Sequence, residues 1–452
     1  MPRVLIISPH FPPVNAPDMQ RVRMSLPYFV DAGWEIVVLT VDDKASLAPL
    51  EPGLLETVPA PVRVVRAPVL SRRWTRWFGV NSLGLRALLG MYFRGRRLLA
   101  AESFDLVYFS TTQFVICALG RLWHGQCGVP YVIDLQDPWL SDYYDQPGAP
   151  RPPGGWKYRF ARGLARLLEG WTLRRAAHVI SVSSHYLGTL RERYPWFRGI
   201  EGSVVTFGVP DADLQAARRQ STTTPHLLPA SAGFRIAYAG RLGPDMRPAL
   251  DALFAAVARF KDAPRPYEIY FFGTSYAAAG QGVATTTDLA ARHGISHLVH
   301  EQPARIGYLD SLRVLLETDL VLVLGSEDRA YSPSKFYPTL LAARPALVIA
   351  PFASVLEAKV RELGGAALIS FEPREPLATA TVEAVATVLA AFADHPAAPL
   401  GPPANLAAVE REYSAAAIAR RQLEIFTIVV RRTASNPCQP GEGSDRLIPP
   451  AP

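Results

Sequence analysis

Residues 234–260 read FRIAYAGRLGPDMRPALDALFAAVARF. After Arg235 the run Ile236 to Ala239 is uninterrupted by polar side chains, as a parallel strand covered on both faces requires. Gly240 permits a sharp turn. Pro248 suits a first helical turn, where its missing N–H is no loss, and Leu250, Leu253, Phe254, Val257 and Phe260 recur at helical spacing. The stretch is therefore a strand–turn–helix unit with Arg241 and Arg247 at its mouth. Ligands of open α/β sheets bind outside the carboxyl ends of the strands, and a helix N-terminus there favours an anion. Two arginines at that position suit a diphosphate; the alternative is a pair of solvated loop arginines.

The same rhythm runs outward in both directions. Val4 to Ile7 is a buried strand, followed by a proline-rich loop, a helix near Arg21 to Val30 and the strand Glu35 to Thr40. Further strands fall at 62–66, 104–110, 131–134 and 179–182, and on the other side at 267–272, 298–301, 320–324 and 346–350. Residues 211–232 lose this periodicity. The pattern predicts an α/β chain of two doubly wound, Rossmann-like domains facing across a cleft, at 1–210 and 233–404, with 211–232 as linker. One long helix, Leu406 to Val429, closes the chain within 405–432, and 433–452 is a disordered tail.

A chain of 452 residues, 49% hydrophobic and 19% charged, has room for two cores of ordinary size. Cys117, Cys127 and Cys438 form neither a disulfide framework nor a metal-ligand spacing. With no signal-peptide pattern at its start and no apolar run of spanning length, a cytoplasmic location is expected. Of the 47 basic and 40 acidic residues, 26 and 18 precede Gly233, so the first half carries +8 and the remainder −1. Seven arginines and no acid lie between Leu70 and Leu99, interleaved with Trp74, Trp77, Phe78 and Phe93. A second basic stretch spans 151–175. Arginine with tryptophan suits peripheral contact with an anionic membrane; the alternative is a surface helix whose aromatics face the core. No nucleic-acid-binding module accompanies the charge.

Several polar groups stand at strand ends. Thr111 follows one strand, and Asp134 and Asp137 flank the end of another, where a carboxylate can serve as a base or hold a hydroxyl. A helix cap for Asp134 and a turn before Pro138 for Asp137 are the plainer alternatives. Gly273 and Thr274 end a strand of the second half, and Ser332, Ser334 and Lys335 sit in a loop entering a helix.

VLIISPHFPP with Arg21 and GWEIVVLT, then FDLVYFS, VPYVIDLQDPW, AAHVISVS, IAYAGRL, TDLVLVLGS and PSKFYPTLLAARP, in this order, resemble a GT-B glycosyltransferase of family 4 type. The resemblance runs from Val4 to about Arg432. It implies a first domain that binds an acceptor, lipid-linked or polysaccharide, and a second that binds a nucleotide sugar, with transfer at retained anomeric configuration and no metal or other cofactor. Arg241 matches the arginine of the family's GR loop, Arg247 stands where lysine is usual, and Asp137 joins them as the third catalytic candidate. Donor contacts are implied for Asn15, Gly240, Gly273, Thr274, Arg305, Ile306, Ser332, Ser334 and Lys335, and acceptor-side roles for His10, Arg21, Thr111 and Asp134. The chain departs from the family where two glutamates eight positions apart align with Ala330 and Pro338, Glu327 lying three residues off. The double glycine after Pro13 is missing, and Gln136 replaces a histidine. These departures keep open a non-catalytic relative that binds nucleotide or membrane, and a sugar-nucleotide epimerase of the same fold.

Overall fold

The computed structural model describes residues 1–78, 82–140, 156–209, 211–275, 282–329, 335–373 and 378–435. Its first domain is a parallel sheet of seven strands: β1 (Arg3–Ile7), β2 (Glu35–Val41), β3 (Arg63–Ala67), β4 (Leu106–Ser110), β5 (Tyr131–Leu135), β6 (His178–Ser181) and β7 (Gly202–Val204). The second is a parallel sheet of six: β8 (Phe234–Ala239), β9 (Tyr267–Phe272), β10 (Val299–Gln302), β11 (Leu320–Leu324), β12 (Ala346–Pro351) and β13 (Ala367–Phe371). The strand orders are β3-β2-β1-β4-β5-β6-β7 and β10-β9-β8-β11-β12-β13. The expected pair of doubly wound domains is the observed architecture.

Both faces of each sheet are covered, which is why the strands are apolar without alternation. In β1, Leu5 and Ile7 enter one buried cluster and Val4 and Ile6 another. All five residues of β11 are buried. In each sheet the winding direction reverses beside its first strand, at β1/β4 and at β8/β11. Such switch points open a crevice at the carboxyl ends of the strands, and the two crevices face each other.

Two expectations need correction. The stretch read as a linker without periodicity holds a helix, Asp211–Thr223, that packs on the helix Tyr308–Glu317. Only Asp213, Leu214 and Ala217 are buried on it, too narrow an apolar stripe to announce a helix. The long closing helix is two, Leu406–Tyr413 and Ala415–Ser435. The break comes because Ser414 caps the second helix, its Oγ accepting from Ala417 N–H at 3.1 Å, while Val209 exchanges backbone bonds with Tyr413 and Ala415. That second helix returns to the first domain. Phe426, fully buried, meets the rings of Phe29, Trp34 and Tyr108, and Gln422 bonds Ser25 and Tyr108.

The basic segment divides its side chains. On the helix Leu83–Ala101 the residues Leu83, Ala87, Met91 and Leu99 face the core, whereas Leu85, Leu89 and Phe93, with Trp74 and Trp77 just before the helix, are exposed. Arg86 is buried and donates to the carbonyls of Leu70 and Ala45, fixing the preceding loop against the helix. No helix among the described residues is long and apolar enough to cross a membrane.

Candidate active site

A cleft of about 340 Å³ lies between the domains, lined from the first by Asn15, Asp18, Arg21, Thr112, Gln136 and Asp137 and from the second by Gly240, Arg241, Gly273, Arg305, Ile306 and Lys335. It joins the two switch points. The βα turn after β8 builds the second wall. Gly240 has φ +141°, a conformation open to glycine and strained for any side chain. A Cβ there would also lie 1.6 Å from Lys335 Nζ. The glycine is therefore what lets the lysine cross the turn.

Arg241 is oriented by Asp245, whose two oxygens accept from Nη1 at 2.9 Å and Nη2 at 2.5 Å, while Ser326 Oγ donates to the same carboxylate at 2.7 Å. Burial works against ionisation of Asp245, but these bonds hold its carboxyl below the usual range. Lys335 Nζ stands 4.5 Å from the centre of the Tyr238 ring and donates to its hydroxyl at 3.2 Å. Burial, with the Arg241 charge beside it, brings its ammonium down to about 7. Arg247 points elsewhere: it begins the helix Arg247–Val257, pairs with the exposed Asp288 and lines no part of the cleft.

On the first wall Asp18 is the hub. His10 Nδ1 lies 2.8 Å from it, and the Thr111 hydroxyl and both the N–H and hydroxyl of Thr112 donate to it at 3.0–3.3 Å. Burial alone would raise its carboxyl; His10 and the threonines bring it below the ordinary value. Gln136 secures the same corner by donating to the Asp18 carbonyl and to Ser110. Asp137 faces the cleft, accessible to water yet walled by protein, and desolvation followed by repulsion from Asp18 pushes it up to about 6.

The structure thus brings Asn15, Arg21, Asp137, Gly240, Arg241, Gly273, Arg305, Ile306 and Lys335 to one cleft. Thr111 and His10 stand behind its wall as partners of Asp18. Asp134 lies beneath it, 2.6 Å from Arg21 Nε and accepting from Tyr108 and Ser110. Arg21 itself is tied to the carbonyls of Val205 and Thr206. Thr274 is buried, its hydroxyl bonded to Glu301 at 2.5 Å. Ser332 and Ser334 lie outside the described residues. Sequence reasoning missed Asp18 and Asp245; Asp245, four residues after Arg241, was a readable salt-bridge partner.

Residues 20–201 match the model of the glycosyl transferase 4-like domain. The match covers most of the first domain. No curated protein sequence matches the chain. Among solved structures, a sucrose-phosphate synthase from Thermosynechococcus elongatus superposes at TM-score 0.63 with 15% identity, covering 96% of this chain and 100% of that one. Anabaena HepE in complex with UDP-glucose gives 0.59 and 15% over 94% and 99% of the two chains. A putative UDP-N-acetylglucosamine 2-epimerase from Listeria monocytogenes gives 0.50 and 14% over 99% of each. These likenesses establish the fold, GT-B, and the residues that match the glycosyl transferase 4-like model include Arg21, Gln136 and Asp137 of the cleft wall.

Proposed function

We propose that the protein transfers a glycosyl group from a nucleotide sugar, held by the second domain, to a lipid-linked or polysaccharide acceptor held by the first. The observation that carries this reading is the cleft itself. Arg241 stands at the end of β8 on one wall and Asp137, an elevated carboxylate, opposes it on the other. As the acceptor hydroxyl oxygen bonds to the anomeric carbon, the bond from that carbon to the diphosphate oxygen breaks, negative charge gathers on the leaving nucleotide, and the hydroxyl proton passes to that diphosphate oxygen. Arg241 stabilises that charge. Asp137 orients the acceptor hydroxyl. Retention at the anomeric carbon is part of the proposal and follows the family resemblance.

HepE with its bound UDP-glucose supports a nucleotide-sugar donor. The exposed Trp74, Trp77, Leu85, Leu89 and Phe93, amid the arginines of the same segment, support contact with an anionic bilayer that presents the acceptor. Thermal shifts with UDP, GDP and ADP, wild type beside Arg241→Ala, test the donor site. One nucleotide should raise the melting temperature of the wild type and not of the variant, because a ligand that binds only the folded state stabilises it by mass action. No shift with any of them removes the donor assignment.

A second reading has one observation in its favour. Pro338 lines the cleft where the family resemblance places a glutamate, so that wall lacks its carboxylate. A non-catalytic relative would bind nucleotide without consuming any nucleotide sugar.

A further inference from the structure

Three cations of the second domain line the cleft, Arg241, Arg305 and Lys335. Their charges are not equally available. Arg241 is held bidentately by Asp245, which fixes its guanidinium and offsets part of its charge. Lys335 has no carboxylate partner among the described residues; its contacts are the hydroxyl and ring of Tyr238. An ammonium kept on an aromatic face and partly desolvated, with a second cation as its charged neighbour, is an unfavourable arrangement for an unliganded protein. The chain maintains it by leaving Gly240 without a side chain, since a Cβ there would occupy the site of Nζ. Arg247, the other cation of the turn, is committed to Asp288 outside the cleft.

Resting on the donor reading above, we propose that Lys335, not Arg247, is the second cation of the diphosphate site, and that it binds the donor's phosphates beside Arg241 by taking up a proton from solvent. An anion seated between Lys335 and Arg241 relieves the repulsion between them and supplies the missing counter-charge. The free ammonium, at about 7, is half neutral near neutral pH, and a bound diphosphate restores its proton. Among the described residues, the groups facing this position are Tyr238 from β8, Arg241 and Asp245 from the turn, Arg305 from the segment after β10, and Asp18 and Asp137 across the cleft. None of the carboxylates loses a proton between pH 7 and 9, since Asp137, the highest affected, titrates at about 6. The phosphates of the ligand, with a second pKa of about 6, are likewise ionised through that window.

The test is calorimetric titration of the full chain with UDP, GDP and ADP at pH 7, 8 and 9, for wild type, Lys335→Met, Lys335→Arg, Arg247→Ala and Arg241→Ala. Wild-type affinity for the nucleotide that binds should fall by up to roughly fifty-fold from pH 7 to 9, the loss expected when a group of pKa near 7 must be protonated in the complex. Lys335→Met should bind at least about tenfold more weakly at pH 7 and lose that pH dependence. Lys335→Arg should regain affinity without the pH dependence, and Arg247→Ala should match wild type. Because it removes a desolvated cation, Lys335→Met should melt no lower than wild type without ligand, which a merely structural role for the lysine would not allow. Unchanged affinity in Lys335→Met, or a large loss in Arg247→Ala, overturns the proposal while Arg241→Ala still reports on the donor site. Absence of any nucleotide binding to wild type overturns both.

Discussion

Asp137 and Asp18 show how one wall of the cleft sets two carboxylates apart. Asp18 is surrounded by donors and stays ionised; Asp137, desolvated and repelled by Asp18, is raised to about 6. If Asp137 must be ionised to orient the acceptor hydroxyl, turnover has an acidic limb near pH 6, rising as pH rises through it. Asp137→Asn should lower kcat and abolish that limb, read from a pH–rate profile; a limb that persists in the variant assigns it to another group. The stability sign runs the other way. A carboxyl whose folded pKa is raised favours the fold below its ordinary value of 3.8, and that contribution is lost as pH rises through about 6, so Asp137→Asn should melt at or above the wild-type temperature at pH 7. The buried pair Arg21–Asp134 has the opposite character. Removing either partner strands a charge in the core, and Arg21→Met should cost on the order of 3–5 kcal/mol in denaturant unfolding.

At the scale of elements, the unit from β8 through the helix Arg247–Val257 was legible because Gly240 and Pro248 mark a turn and a helix start by local rules. The direction of Arg247 was not, since it depends on Asp288, distant in sequence and brought near only by the fold. Lys335 was visible as a cation at a helix entry, but its place against Tyr238 depends on how β8 lies beside the loop after β11. The break at Ser414 escaped because the apolar period continues through it and only the cap and the exchange with Val209 reveal the end. The helix Ala415–Ser435 anchors the first domain through Phe426, and Phe426→Ala should destabilise it by about 3–5 kcal/mol, read as a lower midpoint in urea. The Trp74–Trp77 element carries the membrane proposal. Trp74→Ser with Trp77→Ser should reduce sedimentation with phosphatidylglycerol vesicles and leave the melting temperature within a degree or two of wild type, both rings being exposed. Unchanged sedimentation removes this surface from membrane contact.

Across the whole molecule, the two domains are joined at the rim of the cleft by polar bonds. Glu51 of the first domain accepts from the N–H groups of Tyr308 and Leu309, backbone donors of the first turn of a second-domain helix, and from Asn15. Arg23 is bonded to Asp213 and lies 5.1 Å from the centre of the Tyr308 ring. These bonds hold the first-domain carboxylates opposite the second-domain cations, the arrangement on which the proposed sugar transfer depends. The most direct measurement is nucleoside diphosphate release from a panel of UDP-, GDP- and ADP-sugars, with lipid-linked and polysaccharide acceptors, for wild type and Arg241→Ala. The expected result is turnover of one donor that requires an acceptor and falls about a hundredfold or more in Arg241→Ala while the variant stays folded. Equal turnover in the two proteins, or nucleotide binding with no donor consumed by wild type, would contradict it.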